Sequence, residues 1–387
     1  MAGGLVPIRR VVTGNDERGK SRVLFDGTAP NAHQTSMGTG RGHTDLWVWE
    51  DAQPRFGTED AGNRKYEFPC PPAGGHWRVV QSIGKPANYD AATDKDLIAP
   101  HAPKPRPTQP RAWDRGGNNA YSSAMHKTQT IDYAVLLEGE RVLRLDDAEV
   151  VLKAGDVVVQ VGAWHQWTSP RQGGRMAFDM FAADFVDGPA GVAQGNHAPL
   201  KPSTQPLPAG VTPARRVVTV DYTANKGSLV SDTASPDVRL DPARPGYALA
   251  RMWATDSAPA MITAEALHLP YVLQPPARGS VLNVITFPPD ANWRGKVGAA
   301  EVKAFFASVN AAGASTWAAD APHPYMQKMD TLDLCVVTQG EIVLVLDTQE
   351  VTLKAGDVVV QQGSNHAWSN RSGAPAAVAI ASHGAAR

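Results

Sequence analysis

The sequence predicts an all-β chain made of two copies of one unit, with few helices, and three observations carry that expectation. Leu152-Lys-Ala-Gly-Asp-Val-Val-Val-Gln160 returns unchanged as Leu353-Lys-Ala-Gly-Asp-Val-Val-Val-Gln361, an offset of 201 residues, and an unbroken repeat of this length marks an internal duplication. Around it, residues 131–144, 149–152 and 156–160 are runs rich in Val, Leu and Ile, separated by Glu138-Gly139, Asp146-Asp147 and Ala154-Gly155. Such runs read as strands joined by tight turns. Several short strands with little helical periodicity point to a closed antiparallel barrel or jelly roll in each copy.

The copies extend well beyond the repeated block. At the same offset Asp132 aligns with Asp333, Gly139-Glu140 with Gly340-Glu341, Gly162 with Gly363, His165 with His366 and Trp167 with Trp368. Upstream the register drifts, yet Arg9-Arg-Val-Val-Thr13 returns as Arg215-Arg-Val-Val-Thr219, and Trp49 and Pro71-Pro-Ala73 return as Trp253 and Pro275-Pro-Ala277. The region 186–214 holds Pro199, Pro202, Pro206, Pro208 and Pro213 without a hydrophobic period, the composition of an extended connector. The expected division is therefore residues 1–198, a proline-rich linker 199–213, and residues 214–387. The pairs Arg9-Arg10 and Arg215-Arg216 open each copy and are expected to hold the termini or a copy-to-copy interface.

Two segments differ between the copies. Pro100, Pro103, Pro105, Pro107 and Pro110 make a stretch that reads as a long surface loop. Its counterpart places Val302, Phe305, Phe306 and Val309 at i, i+3, i+4 and i+7, the stripe of one buried helix. Gly38-Thr-Gly-Arg-Gly42 is glycine-rich without a strand-to-helix context and reads as a flexible loop.

Composition narrows the function. Among 387 residues, 37 Lys plus Arg face 38 Asp plus Glu, a formal charge of −1, which lacks the positive field that phosphate backbones or anionic membranes require. A small-molecule substrate is expected, with no nucleic acid and no membrane partner. Cys70 and Cys335 are too few for a disulfide framework or a thiolate metal cage. The start lacks an apolar core behind a basic head, and no run reaches the ~18 apolar residues that span a bilayer, so a cytoplasmic, reducing location is the expectation. Phosphate-cradling, Cys-x-x-Cys, Gly-x-Ser-x-Gly and His-Glu-x-x-His motifs are missing, which removes most nucleotide, thiol, serine-hydrolase and zincin readings.

The repeated block resembles the cupin superfamily, in which a first motif ends in a strand and Gly-Glu turn, here Gly139-Glu140 and Gly340-Glu341, and a second places a Gly-Asp turn ahead of a histidine, here His165 and His366. Residues 125–170 and 326–371 carry the likeness. It implies two cupin-type antiparallel β-barrels (double-stranded β-helix, jelly roll) in tandem, a bicupin, and it is specific for fold rather than reaction. In cupins the first motif supplies two histidines two residues apart and a later glutamate, and the second supplies a third histidine. Counted from the Gly-Glu turn, the resemblance puts His126 and Thr128 at the two histidine positions, Asp132 at the glutamate position and His165 at the last. One ligand is thus missing and another shortened.

On a regular strand positions 126, 128 and 132 share one face, and His165 from a neighbouring strand reaches the same point inside the barrel. Two imidazoles and a carboxylate would suit about one divalent metal per chain (Fe, Mn, Ni or Zn) and leave positions open for water, substrate or oxygen. In the plainer alternative His126 is a strand-edge residue and Asp132 bonds a backbone turn. The second copy offers Gln327, Met329 and Asp333 with His366, a degenerate site with only two plausible ligands.

Trp167 is expected to share the face of His165 and, with Thr128, to line a substrate pocket that stacks planar molecules. Tyr133 and Trp164 stand at odd separations from the ligand positions and should face the other way. His43 and His76 read as ordinary surface or edge residues. The resulting expectation is a metal-dependent enzyme acting on a small oxygenated, aromatic-compatible molecule inside the first barrel. Dioxygenase chemistry leads, a lyase, decarboxylase or isomerase at the same ion follows, and a metal-free binding or structural bicupin is the alternative from another class. A C2 homodimer is the default for such barrels.

Overall fold

The computed structural model describes residues 4–35, 40–65, 67–185, 191–193 and 198–386; part of the glycine-rich loop at 38–42 and part of the connector at 186–214 lie outside them. Strand alternation appears where the sequence places it. Glu149–Lys153 and its copy Glu350–Lys354 both alternate exposed and buried residues, sending Val150, Leu152, Val351 and Leu353 inward. The chain is all-β, with two antiparallel barrels in tandem. No helix among the described residues is long and apolar enough to cross a membrane.

In the first barrel Thr130–Arg144, Gly174–Asp184, Gly75–Ser82, Gly42–Trp49 and Asn31–Gln34 pair antiparallel in that order. Thr130–Arg144 runs on through Glu138-Gly139 rather than ending there, with a bulge at Leu137, and its far half pairs with Glu149–Lys153 and Gln166–Thr168 to form the opposite wall. Gly139 permits the bend: its φ is 75°, and a Cβ there would stand 2.0 Å from the Gly173 carbonyl oxygen. The second barrel repeats the plan with Thr331–Gln339, Ala376–Gly384, Ser280–Phe287 and Ala248–Thr255 on one wall and Glu341–Leu346, Glu350–Lys354 and His366–Ser369 on the other.

The halves exchange their opening hairpins. Arg9–Asn15, paired with Ser21–Thr28, adds in parallel to Val358–Gln362 of the second barrel, while Arg215–Thr223, paired with Lys226–Ala234, adds to Val157–Val161 of the first. The arginine pairs lock both joints by the same bonds. Arg9 binds Asp26, Asp357 and the Thr352 carbonyl; Arg215 binds Asp232, Asp156 and the Val151 carbonyl. Behind them Arg10 reaches Asp60 and the Leu46 carbonyl, and Arg216 reaches Glu265 and the Met252 carbonyl. Arg9 and Arg215 perform the copy-to-copy role expected of the pairs, whereas Arg10 and Arg216 tie the exchanged strands back to their own halves.

A single apolar core runs across the interface, joining Trp47, Trp49, Tyr133 and Phe181 of one half to Met252, Trp253, Leu282 and Leu334 of the other. In the second half the expected helix forms over Ala299–Ser308 and buries Val302, Phe305 and Phe306. The proline-rich stretch of the first half is more than a surface loop. Lys104–Arg106 and Gln109–Asp114 form a hairpin that continues onto His126–Thr128, because Pro105 and Pro110 sit in a short marginal sheet where missing backbone donors are tolerated.

These joints differ in burial, and that decides what each contributes. The Arg216–Glu265 pair is fully buried, whereas Arg9 and Asp26 are each more than a third exposed. Arg216→Ala leaves Glu265 buried without its counter-ion and should cost about 3–5 kcal/mol, while Arg9→Ala should cost under about 1 kcal/mol. Urea denaturation of the two variants checks the ranking, and equal costs would contradict it.

Candidate active site

The backbone builds the site by one close strand contact. The N–H groups of His126 and His165 each donate to the other's carbonyl, at 2.8 and 2.9 Å. A directly opposed antiparallel pair puts both side chains on one face, and the two imidazole centroids lie 4.2 Å apart. Each Nδ1 donates to the carbonyl two residues earlier, His126 to Ala124 at 2.7 Å and His165 to Ala163 at 2.8 Å. Those bonds fix the tautomer, so both Nε2 atoms carry lone pairs. No described residue hydrogen-bonds either Nε2, and both rings line a cavity of about 640 Å³. Burial disfavours the imidazolium form, lowering His165 to about 4 and His126 well below its ordinary value. The pair is neutral at physiological pH.

Thr128 and Asp132 line the same cavity, on the face that even spacing predicts. Between them stands Thr130, whose hydroxyl is 2.8 Å from that of Thr128 and donates to Asp132 Oδ1 at 2.6 Å. Burial, reinforced by the nearby Asp179 charge, pushes the Asp132 carboxyl up to about 7 against the pull of the Thr130 hydroxyl. The structure therefore brings His126 and His165 together and holds Asp132 apart from them on its own hydroxyl chain. Among the described residues no three His, Cys, Asp or Glu side chains gather closely enough to hold a metal ion. Two imidazoles supply part of the donor set that the resemblance implies, and as arranged the full set does not fit.

Lys127, between two inward-facing residues, points away from the cavity and is fully buried. Its Nζ donates to Asp221 Oδ2 at 2.6 Å and to the Gly191 carbonyl at 3.1 Å, and Asp221 Oδ1 accepts the Trp164 N–H at 3.0 Å. One carboxylate on the exchanged hairpin thus pins the residue after His126 and the residue before His165. Alternation along the strand turns Lys127 outward, but nothing in the sequence announces its partner 94 residues away. The second copy lacks this clamp: Lys328 is half-buried, and the neutral Asn15 amide reaches only toward the Gln362 and Gly363 carbonyls.

Aromatic and basic groups complete the walls. Trp167 lies 6.2 Å from the His165 ring and 5.5 Å from Phe178, edge to face, while Tyr133 and Trp164 are absent from the lining, as their odd spacing predicts. Arg78 pairs with Asp45 at 2.8 Å and Arg106 with Asp114 at 3.0 Å. Two histidines correct the expectation of surface residues. His43 lines the cavity, lowered to about 3 by burial and then by neighbouring guanidinium charges; His76 is buried with Nε2 3.2 Å from Met180 Sδ. Both stand on strands interior to the sheet, a placement that one-strand periodicity does not report.

The corresponding place in the second barrel satisfies itself. Gln327 takes the position of His126, and its Nε2 lies 3.2 Å from His366 Nε2, so the amide donates into the lone pair that the first copy leaves open. Met329 packs with Trp293, Phe305, Phe306 and Tyr325 in one apolar cluster, and the Arg244 guanidinium lies over Tyr325 and Tyr247, 3.5 and 3.9 Å from their centroids. Burial raises Asp333 and lowers His366, which leaves this pair without the open face of its counterpart.

No family model matches the chain. Phomopsin biosynthesis cluster proteins C′ and D of Diaporthe leptostromiformis are each 51% identical to it over 59 residues, 14% of this chain and 31% of each relative. Oryzines biosynthesis cluster protein J of Aspergillus oryzae is 44% identical over 46 residues, 12% of this chain and 26% of that protein. The chain spans under a third of the length of the curated relatives it matches. Among solved structures it is similar to salicylate 1,2-dioxygenase from Pseudoaminobacter salicylatoxidans (TM-score 0.38, 11% identity, 90% of this chain and 76% of that one). It is likewise similar to Lactobacillus farciminis oxalate decarboxylase (TM-score 0.37, 12% identity, 92% and 84%).

Two variants test the electrostatics of this site. Burial lowers Lys127 and raises Asp221, so each relies on the other's charge. Asp221→Asn should cost about 3–5 kcal/mol by stranding the ammonium, and Lys127→Met with Asp221→Leu should recover most of it, as read by urea denaturation. For Asp132 the folded-state value lies above the unfolded one, so the wild-type fold gains stability as pH falls through about 7. Asp132→Asn should therefore be the more stable protein at pH 8, by at most on the order of 4 kcal/mol, with the difference closing toward pH 4. A gap independent of pH would contradict that assignment.

Proposed function

We propose that the first barrel is an enzyme pocket for a small oxygenated molecule, and that its reaction is non-redox proton transfer of the kind isomerases, lyases and decarboxylases use. The observation that carries this reading is the imidazole pair, two neutral rings with fixed tautomers and open Nε2 lone pairs facing one cavity. Such a face accepts a proton from a carbon next to a carbonyl and returns it to a neighbouring atom. Asp132, holding its proton up to about pH 7, donates to the oxygen on which negative charge develops. Thr130 fixes one carboxyl oxygen and leaves the other to the substrate. Trp167 and Phe178 supply apolar walls that exclude water and strengthen these bonds.

His126, Asp132 and His165 do not assemble as one donor set, so the proposed proton transfer uses the side chains themselves. The pair offers two donors to Fe, Mn, Ni or Zn, and metal analysis of protein purified without chelator tests that expectation directly. The reading gives a metal content well below one per chain, unchanged in His126→Ala. A stoichiometric ion lost in His126→Ala or His165→Ala would replace it with metal-dependent chemistry.

Activity is tested by proton exchange. Small 2-oxo acids and β-diketones are incubated with the protein in D2O without oxygen, and loss of the C–H signal is followed by NMR. At least one compound should exchange, and His165→Ala should slow it by about 10²-fold or more. Turnover that requires oxygen and added Fe would restore the dioxygenase expectation. Exchange with none of these compounds would favour a metal-free binding protein.

A further inference from the structure

Arg141 occupies a position that strand alternation reserves for an apolar side chain. In Thr130–Arg144 residues 141 and 143 turn inward and 144 turns out, so Arg141 shares its face with the fully buried Leu143. At the same offset the second copy holds Ile342, buried in the aromatic core. Where one barrel is filled with an isoleucine, the other buries a cation.

That cation lacks an anion. Arg141 is 5% exposed, and neither Nε nor Nη1 has a hydrogen-bond partner among the described residues. Arg78 and Arg106, lining the same cavity, have Asp45 and Asp114; no described carboxylate lies within ion-pair distance of Arg141. Its guanidinium lies over the Trp167 ring, 5.1 Å from the centroid. Stacking holds the plane and leaves the N–H edge free for a bidentate partner. Burial and the Arg41 charge bring Arg141 down to about 9, so it stays charged at neutral pH. An orphaned buried charge is costly unless something pairs with it, and the open space beside it leads to His126 and His165.

We propose that Arg141 is the anchor for a carboxylate on the ligand of the first barrel, and that this ligand is a small aromatic or otherwise planar carboxylic acid laid against Trp167. The proposal rests on reading the cavity as a small-molecule pocket and names its substrate class. The bound carboxylate supplies the charge that Arg141 lacks, and it also raises the basicity of the imidazoles it approaches.

Benzoate and benzamide are matched probes, equal in shape and different in charge. Isothermal titration of the full chain should give benzoate at least about tenfold tighter than benzamide, the factor expected when a bidentate charged bond is exchanged for a neutral one. Arg141→Met should abolish that preference, and Arg141→Lys should keep part of it. Arg141→Met should also melt no lower than wild type without ligand, because relief of the unpaired buried charge offsets the lost stacking on Trp167. Equal affinity for the two probes, binding of neither, or a preference that survives Arg141→Met would overturn the proposal. Anion preference through Arg141 together with no proton exchange would leave the anchor standing and defeat the catalytic reading alone.

Discussion

Everything in the first barrel hangs on a parallel strand pairing that the first half of the chain cannot make by itself. Val157–Val161 is buried along its whole length and has Arg215–Thr223 of the second half along one edge. Parallel neighbours need a long connection between them, and here the connection is the rest of the first copy plus the proline-rich segment. The return exchange, Arg9–Asn15 on Val358–Gln362, extends the second barrel's sheet in the same manner. An open edge of five buried residues would be an aggregation hazard; the duplication covers two such edges at once.

This exchange reaches into the chemistry. Asp221 is carried by the borrowed hairpin, yet it fixes Lys127 and Trp164, the neighbours of His126 and His165. A hairpin that covers an edge thereby also sets the spacing of two imidazoles. In the second barrel the same hairpin position is Asn15, whose neutral amide meets only carbonyls, and there Gln327 closes on His366. The copies share a frame, and what separates them is which buried polar groups are left open.

The frame was legible in the sequence, because strand alternation and glycine turns are local. Even spacing placed His126, Thr128 and Asp132 on one face, and the second motif brought His165 to it. The helix at 299–308 and the copy-to-copy arginines were legible for the same reason. Proximity across the barrel was not. Thr130 lies between Thr128 and Asp132 on that same face and takes the carboxylate that spacing alone would give to an ion. His43 enters the cavity from a strand more than 80 residues upstream of His126 in number, and the proline-rich excursion becomes a wall because it finds His126–Thr128 as a sheet partner. Such pairings depend on register between distant strands, which one segment's pattern does not contain.

A cavity lined by neutral imidazoles and an unpaired guanidinium is an expensive thing to keep inside a β-barrel, and the second copy shows the cheaper solution in the same architecture. There Ile342 stands for Arg141, Gln327 for His126 and Met329 for Thr128; Ile342 and Met329 join an aromatic-rich cluster, and Gln327 bonds His366. Folding alone favours that filled version, since apolar burial stabilises while unpaired polar burial costs about 1–3 kcal/mol per group. The neighbouring barrel departs from it at three aligned positions that face a single cavity. Local violations of packing rules that converge on one space are the physical mark of a site whose missing partners arrive with a ligand.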